Sequence, residues 1–164
     1  MGTVYRRFSD KESLVEALFE GRVEEMVTLA QRGQTRPDSG EALIALYRSM
    51  AADSGLQEVI NSGGYGSDRV SAACNRLFAL VDVLLRRAQA EGEVRPDLET
   101  MDLSLLLLML SDLAHRMRSA RPDGWRRYLD FVTDGLRTSL TRELLRVPLL
   151  TSTEILRAQP SRPT

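Results

Sequence analysis

The chain has 164 residues, 22 Lys plus Arg against 23 Asp plus Glu, one His and one Cys. That length suits one domain with a real core, and the even charge balance gives no whole-chain pull toward nucleic acid or membrane. A single Cys and a single His exclude a disulfide framework, a Cys-rich zinc site and a His-pair metal site within one chain, so no metal and no cofactor is expected. The longest strongly apolar run, at 105–110, is far shorter than the roughly 20 residues that span a bilayer. No cationic start followed by an apolar run suggests a secretory signal, and the expected compartment is a reduced cytoplasm.

Helical periodicity dominates. Ser9 and Glu12 have the spacing of a capping box. Leu14, Val15, Leu18, Phe19, Val23, Met26, Val27 and Ala30 then recur at three- and four-residue intervals, with Gly33 as the expected stop. Asp38 and Glu41 form a second cap before Leu43, Leu46, Tyr47 and Met50. Ser54 and Gln57 form a third, opening a short helix through Ile60. A loop at 61–66 follows, with three glycines between 63 and 66. Ser67 or Asp68 opens a long helix whose apolar face runs from Val70 to Ala88 and stops near Gly92.

Asp97 or Thr100 is expected to start the next helix, which runs to about Arg118. Its middle, at 103–110, is apolar nearly all round, so more than one side needs cover. Pro122 suits the first position of another helix. That helix carries Trp125, Leu129, Val132, Leu136 and Leu140 on one face and is expected to stop before Pro148. Thr151 and Glu154 mark a last short helix, and Pro160 and Pro163 a frayed tail. No segment has strand alternation, so the expected architecture is all-α with about seven helices.

The first residues are the most specific. The run from Gly2 through Thr3, Val4, Tyr5, Arg6, Arg7, Phe8, Ser9, Asp10, Lys11 and Glu12 to Leu14 resembles the junction between the recognition helix and the following helix in the tetracycline-repressor (TetR) family of bacterial transcription regulators. Glu91-Gly92-Glu93-Val94-Arg95-Pro96-Asp97-Leu98 resembles a turn that precedes the penultimate helix of such regulators, and Trp125-Arg126-Arg127-Tyr128-Leu129 resembles the opening of their last long helix. The resemblance implies a TetR-like helical ligand-binding and dimerisation domain, with only a remnant of the helix-turn-helix. The family carries two further helices before the recognition helix, whereas this sequence starts inside it. The expected division is 1–8 as that remnant, 9–147 as the effector-binding and dimerisation domain, and 148–164 as a short C-terminal helix and flexible tail.

The resemblance implies that Thr3, Tyr5, Arg6 and Lys11 contact operator DNA in the intact protein, since phosphate contacts position a recognition helix. A recognition helix needs its partner helix as a brace, and about seven residues do not hold helicity alone. Residues 1–164 by themselves are therefore expected not to bind operator DNA specifically.

Other signals read blandly. Gly63, Gly64 and Gly66 are not followed by Gly-Lys-Ser/Thr and no strand precedes them, so a flexible turn, or a gate beside a pocket, fits better than a phosphate loop. His115 sits one turn after Asp112, but no nucleophile completes a catalytic group. Cys74, on an apolar stripe, reads as a buried and inert thiol.

Taken together, the expectation is a DNA-binding regulator, a repressor, that senses a small and largely apolar effector and is not an enzyme. The effector pocket is expected among the helices at about 10–31, 39–53, 68–91 and 99–118, lined by Phe19, Met26, Tyr47, Met50, Phe78, Met109 and His115. A symmetric homodimer is expected through Leu106, Leu110, Trp125, Leu129, Val132 and Leu136, on the helices at about 99–118 and 122–146. The alternatives are a DNA-independent helical dimerisation or adaptor module and a small helical enzyme.

Overall fold

The computed structural model describes residues 11–53, 56 and 68–138, with side chains from residue 16 onward. Five helices are present among them: α1 (Lys11–Gln34), α2 (Ser39–Ala52), α3 (Asp68–Ala90), α4 (Thr100–Met117) and α5 (Arg126–Leu136). Extended pairing among these residues is limited to an isolated antiparallel bridge between Val94 and Arg137. The fold is all-α, as the periodicity predicts. The Ser9–Glu12 and Ser54–Gln57 caps, the glycine turn at 61–66 and the helix from Thr151 lie outside the described residues. So do Thr3, Tyr5 and Arg6, the side chain of Lys11 and the tail at 148–164.

α1 and α3 form the most extensive helix pair, with α2 laid across both. The pairing follows from spacing. Val70, Ala73, Leu77, Val81, Leu84, Leu85 and Ala88 place one buried stripe along α3. Val23, Met26, Val27 and Ala30 supply the facing stripe of α1. Full burial of a leucine such as Leu43, Leu84 or Leu85 contributes about 1.5–3 kcal/mol. α4 and α5 close the core through Leu103, Leu107, Leu110, Trp125, Leu129 and Leu136.

Helix ends show where local signals held and where packing overrode them. Asp38 caps α2, its Oδ1 accepting from Glu41 N at 2.7 Å. α3 ends at Ala90, and Gly92 takes φ +75°, the left-handed conformation that suits glycine after a helix. Gly33, by contrast, does not stop α1. It sits inside the helix, where an added Cβ would lie 3.2 Å from Leu84 Cδ2, so its smallness serves the close approach of α1 and α3.

α4 opens at Thr100, the second of the two expected starts, and Glu99 caps it, its N–H donating to Asp102 Oδ2 at 2.9 Å. Asp97 is engaged by Arg95 at 2.6 and 2.7 Å, and the Thr100 hydroxyl donates to Asp82 Oδ1 at 2.6 Å. Pro122 lies in a turn, and α5 begins only at Arg126. Nor does that helix run on unbroken to 146. Arg137 leaves it with φ −70° and ψ 150°, because the chain pairs there with the α3–α4 turn. Arg95 N donates to Leu136 O at 3.0 Å and Thr138 N to Glu93 O at 3.1 Å.

Candidate functional site

A mainly apolar cavity of about 320 Å³ opens between α2, α3 and α4, within the usual range for small-molecule sites of about 300–1,000 Å³. α2 contributes Leu43, Leu46, Tyr47 and Met50; α3 contributes Cys74, Leu77, Phe78 and Val81. The near end of α4, from Thr100 to Leu108, closes the third side, and Leu56 adds to the rim. Each wall arises from the apolar stripe of an amphipathic helix that the facing helices do not fully cover.

Polar groups among the described lining residues are few. The Thr100 hydroxyl is committed to Asp82, and the Ser104 hydroxyl donates to Thr100 O at 3.3 Å. Tyr47 is 3% exposed, and among the described residues its hydroxyl is the buried side-chain polar atom without a hydrogen-bond partner. Burial pushes its pKa well above that of an ordinary phenol, so the proton stays on the oxygen across physiological pH. Burial likewise raises the Cys74 thiol, which keeps it in the unreactive protonated form.

Of the pocket residues expected from sequence, Tyr47, Met50 and Phe78 line this cavity. Four do not. Phe19 packs in a small cluster with Val70, behind Cys74, and Met26 is in the α1–α3 core. Met109 is 65% exposed. His115 is also exposed, its Nδ1 3.4 Å from Arg118 Nη2, while Asp112 pairs with Arg116 at 2.7 Å instead. α1, expected to bound the pocket, contributes no described lining residue and packs instead against the backs of α2 and α3. Sequence reasoning missed Met101, Leu105 and Leu108 as lining residues. They lie on the outer part of a helix apolar almost all round, where periodicity does not distinguish faces.

A second, more polar cleft lies between α2 and α5, lined by Glu41, Arg48, Asp130, Thr133, Asp134 and Arg137 among others. Its cations already have partners. Arg48 reaches Asp130 Oδ1 and Thr133 Oγ1 at 2.8 Å each, and Arg137 pairs with Glu41. That network ties α2 to α5 and offers no free charge to a ligand.

The expected dimer residues divide by burial. Leu110, Trp125, Leu129 and Leu136 are buried in the core of their own chain, and Leu106 and Val132 are half-buried against it. A helix stripe turned inward is not available to a partner. The outward apolar side chains of α4 and α5 are Leu108, Met109, Tyr128 and Phe131, with the Arg127 guanidinium 5.3 Å from the Phe131 ring centre. No group of His, Cys, Asp and Glu among the described residues is placed to hold a metal ion, and no described helix is long and apolar enough to cross a membrane.

The described residues thus form an all-α frame with a mainly apolar cavity between α2, α3 and α4. Residues 38–138 match the family described as transcriptional regulator SbtR-like, C-terminal domain. The fold is also similar to that of a TetR transcriptional regulator from Streptomyces coelicolor. The two share 28% identity and superpose with a TM-score of 0.62, covering 84% of this chain and 81% of that one. No curated protein matches the chain. The chain belongs to the TetR family of transcriptional regulators, of which residues 38–138 form the C-terminal domain.

Proposed function

We propose that this chain is the sensing and dimerising part of a repressor, and that the cavity between α2, α3 and α4 is its effector site. The observation that carries this reading is a cavity of about 320 Å³ whose described lining is apolar apart from a few hydroxyls and one thiol. Such a lining suits a small and largely apolar molecule. Control of DNA by that molecule requires different affinities in two states of the protein. α1 is the natural lever. It follows directly on the segment that resembles the DNA reader, and it packs along α3, whose Leu77, Phe78 and Val81 form one cavity wall. A shift of α3 on ligand entry moves α1 with it.

The experiment is a thermal-shift screen of small apolar compounds against wild type and Met50→Trp. A compound held at a hundredfold excess over its Kd stabilises the folded state by about 2.7 kcal/mol. The larger indole fills the cavity and removes the shift. A broad screen without any shift, or shifts unchanged in Met50→Trp, overturns the assignment.

Homodimerisation is proposed through the outer faces of α4 and α5. Support comes from the family and from Leu108, Met109, Tyr128 and Phe131, large apolar side chains left exposed on those two helices. A second copy of the same surface is the occupant that a twofold interface supplies.

A further inference from the structure

We infer that the effector site opens sideways, between α3 and α4, and that it takes an amphipathic molecule, with an apolar body in the cavity and a polar end left in water beside Phe78 and Ser104. This rests on the cavity being the effector site. Three observations lead to it.

First, the described lining residues that are exposed are Phe78 on α3 and Ser104 and Leu108 on α4, whereas those of α2 are buried or half-buried. Phe78 is 41% and Leu108 38% exposed. Side chains that border both a cavity and solvent mark where the two meet. Second, this side of α4 is a stripe of its own. Met101, Ser104, Leu105 and Leu108 recur at helical intervals along the cavity, beside the buried stripe of Leu103, Leu107 and Leu110. Third, α3 and α4 are pinned together near the turn that joins them. The Thr100 hydroxyl donates to Asp82 Oδ1 at 2.6 Å, Arg86 pairs with Glu99, and Gln89 Nε2 donates to Leu98 O at 2.8 Å. Phe78 and Leu108 lie beyond that pin, so a molecule passing between them breaks none of these bonds.

A polar end drawn fully into an apolar cavity loses its water at high cost. At an open rim it keeps that water, and only the apolar body is transferred. The same body covers Phe78 and Leu108, large apolar side chains that otherwise face solvent. Leu108 also borders the proposed dimer face. Phe78 and Ser104 are not part of that face, so a second copy there leaves their side of the mouth to the ligand.

The test uses three probes with one apolar body and different ends: octan-1-ol, octanoate and octylammonium. Each is titrated by calorimetry at neutral pH and low salt into the full chain, as wild type, Ser104→Lys, Ser104→Glu and Met50→Trp. The Ser104 hydroxyl bonds only weakly back to its own helix, at 3.3 Å, so both charges are tolerated there. All three probes should bind wild type within about tenfold of one another, because the end group stays hydrated. Ser104→Lys should strengthen octanoate and weaken octylammonium, and Ser104→Glu should do the reverse, each by about 1.5- to 5-fold, the range of an exposed charge pair. Met50→Trp should remove binding of all three. Octan-1-ol binding with either charged probe weaker by more than about tenfold, or any other pattern of shifts at Ser104, overturns the solvent-facing end and leaves the effector site standing. If no probe binds wild type, or Met50→Trp leaves binding intact, the effector site itself is refuted, and the mouth with it.

Discussion

The Arg87 guanidinium holds the last carbonyl of α1, its Nη1 donating to Gln34 O at 2.8 Å. Gln34 answers with its own side chain, donating to Leu80 O at 2.8 Å. The same guanidinium bonds Arg36 O and Glu91 Oε1, each at 2.8 Å. A cation at a helix C-terminus also complements the macrodipole. The far end of α1 is thus clamped to the helix that walls the cavity. Arg87→Ala should destabilise the chain by about 1–3 kcal/mol, since several bonds to a charged group are lost. Arg87→Lys should recover only part of this, because an ammonium lacks the planar fork. Urea unfolding of the three proteins checks both.

Tyr47→Phe has a consequence without any ligand. It deletes a buried hydroxyl that has no partner, so it should raise stability by about 1 kcal/mol. The readout is a higher urea midpoint at unchanged slope. A lower midpoint shows that the hydroxyl is satisfied in solution.

Acid should weaken the start of α2 through Glu91. The Ser39 hydroxyl, 2.5 Å away, and then Arg87 hold this carboxyl below its ordinary value of 4.5. A folded pKa depressed in this way gives stability that is fully present above pH 4.5 and fades as the pH falls through the folded value. Melting temperatures measured from pH 6 to pH 3 should therefore fall more steeply for wild type than for Glu91→Gln. Parallel curves refute the assignment.

The outer faces of α4 and α5 can be tested separately from the core. Phe131 is 62% exposed, so Phe131→Glu removes little intrachain packing. Sedimentation should show a dimer for wild type at micromolar concentration and a folded monomer for the variant. A monomeric wild type removes the proposed interface.

The cap at Asp38, the stop at Gly92 and the inward stripe of α3 were legible from spacing because each depends on neighbours within one or two turns. Gly33 was not. A glycine that ends a helix and one that admits Leu84 look alike until the partner helix is in place. Tyr47 shares its stripe with Leu43, Leu46 and Met50, so periodicity turns it inward. No sequence signal says that its hydroxyl stays unpaired. Trp125 and Leu129 show the opposite problem. They are large and regularly spaced, yet the surface they cover belongs to their own chain, and a stripe does not distinguish a core from an interface. His115 was tied to Asp112 by helical spacing, but Arg116, four residues along on the same helix, takes that carboxylate.

The turn after α3 joins three distant parts of the chain. The Glu93 carboxylate accepts from Gly40 N at the start of α2, and the Glu93 carbonyl accepts from Thr138 N beyond α5. Both contacts join segments far apart in sequence, so this clasp is expected to close late in folding. Interactions absent from the transition state change the unfolding rate and leave refolding nearly alone. A Cβ on residue 40 would fall 2.7 Å from Glu93 Cβ, so Gly40→Ala should steepen the loss of folded protein with time while refolding keeps its pace. The clasp sets how long the folded chain lasts, and has little part in how quickly it forms.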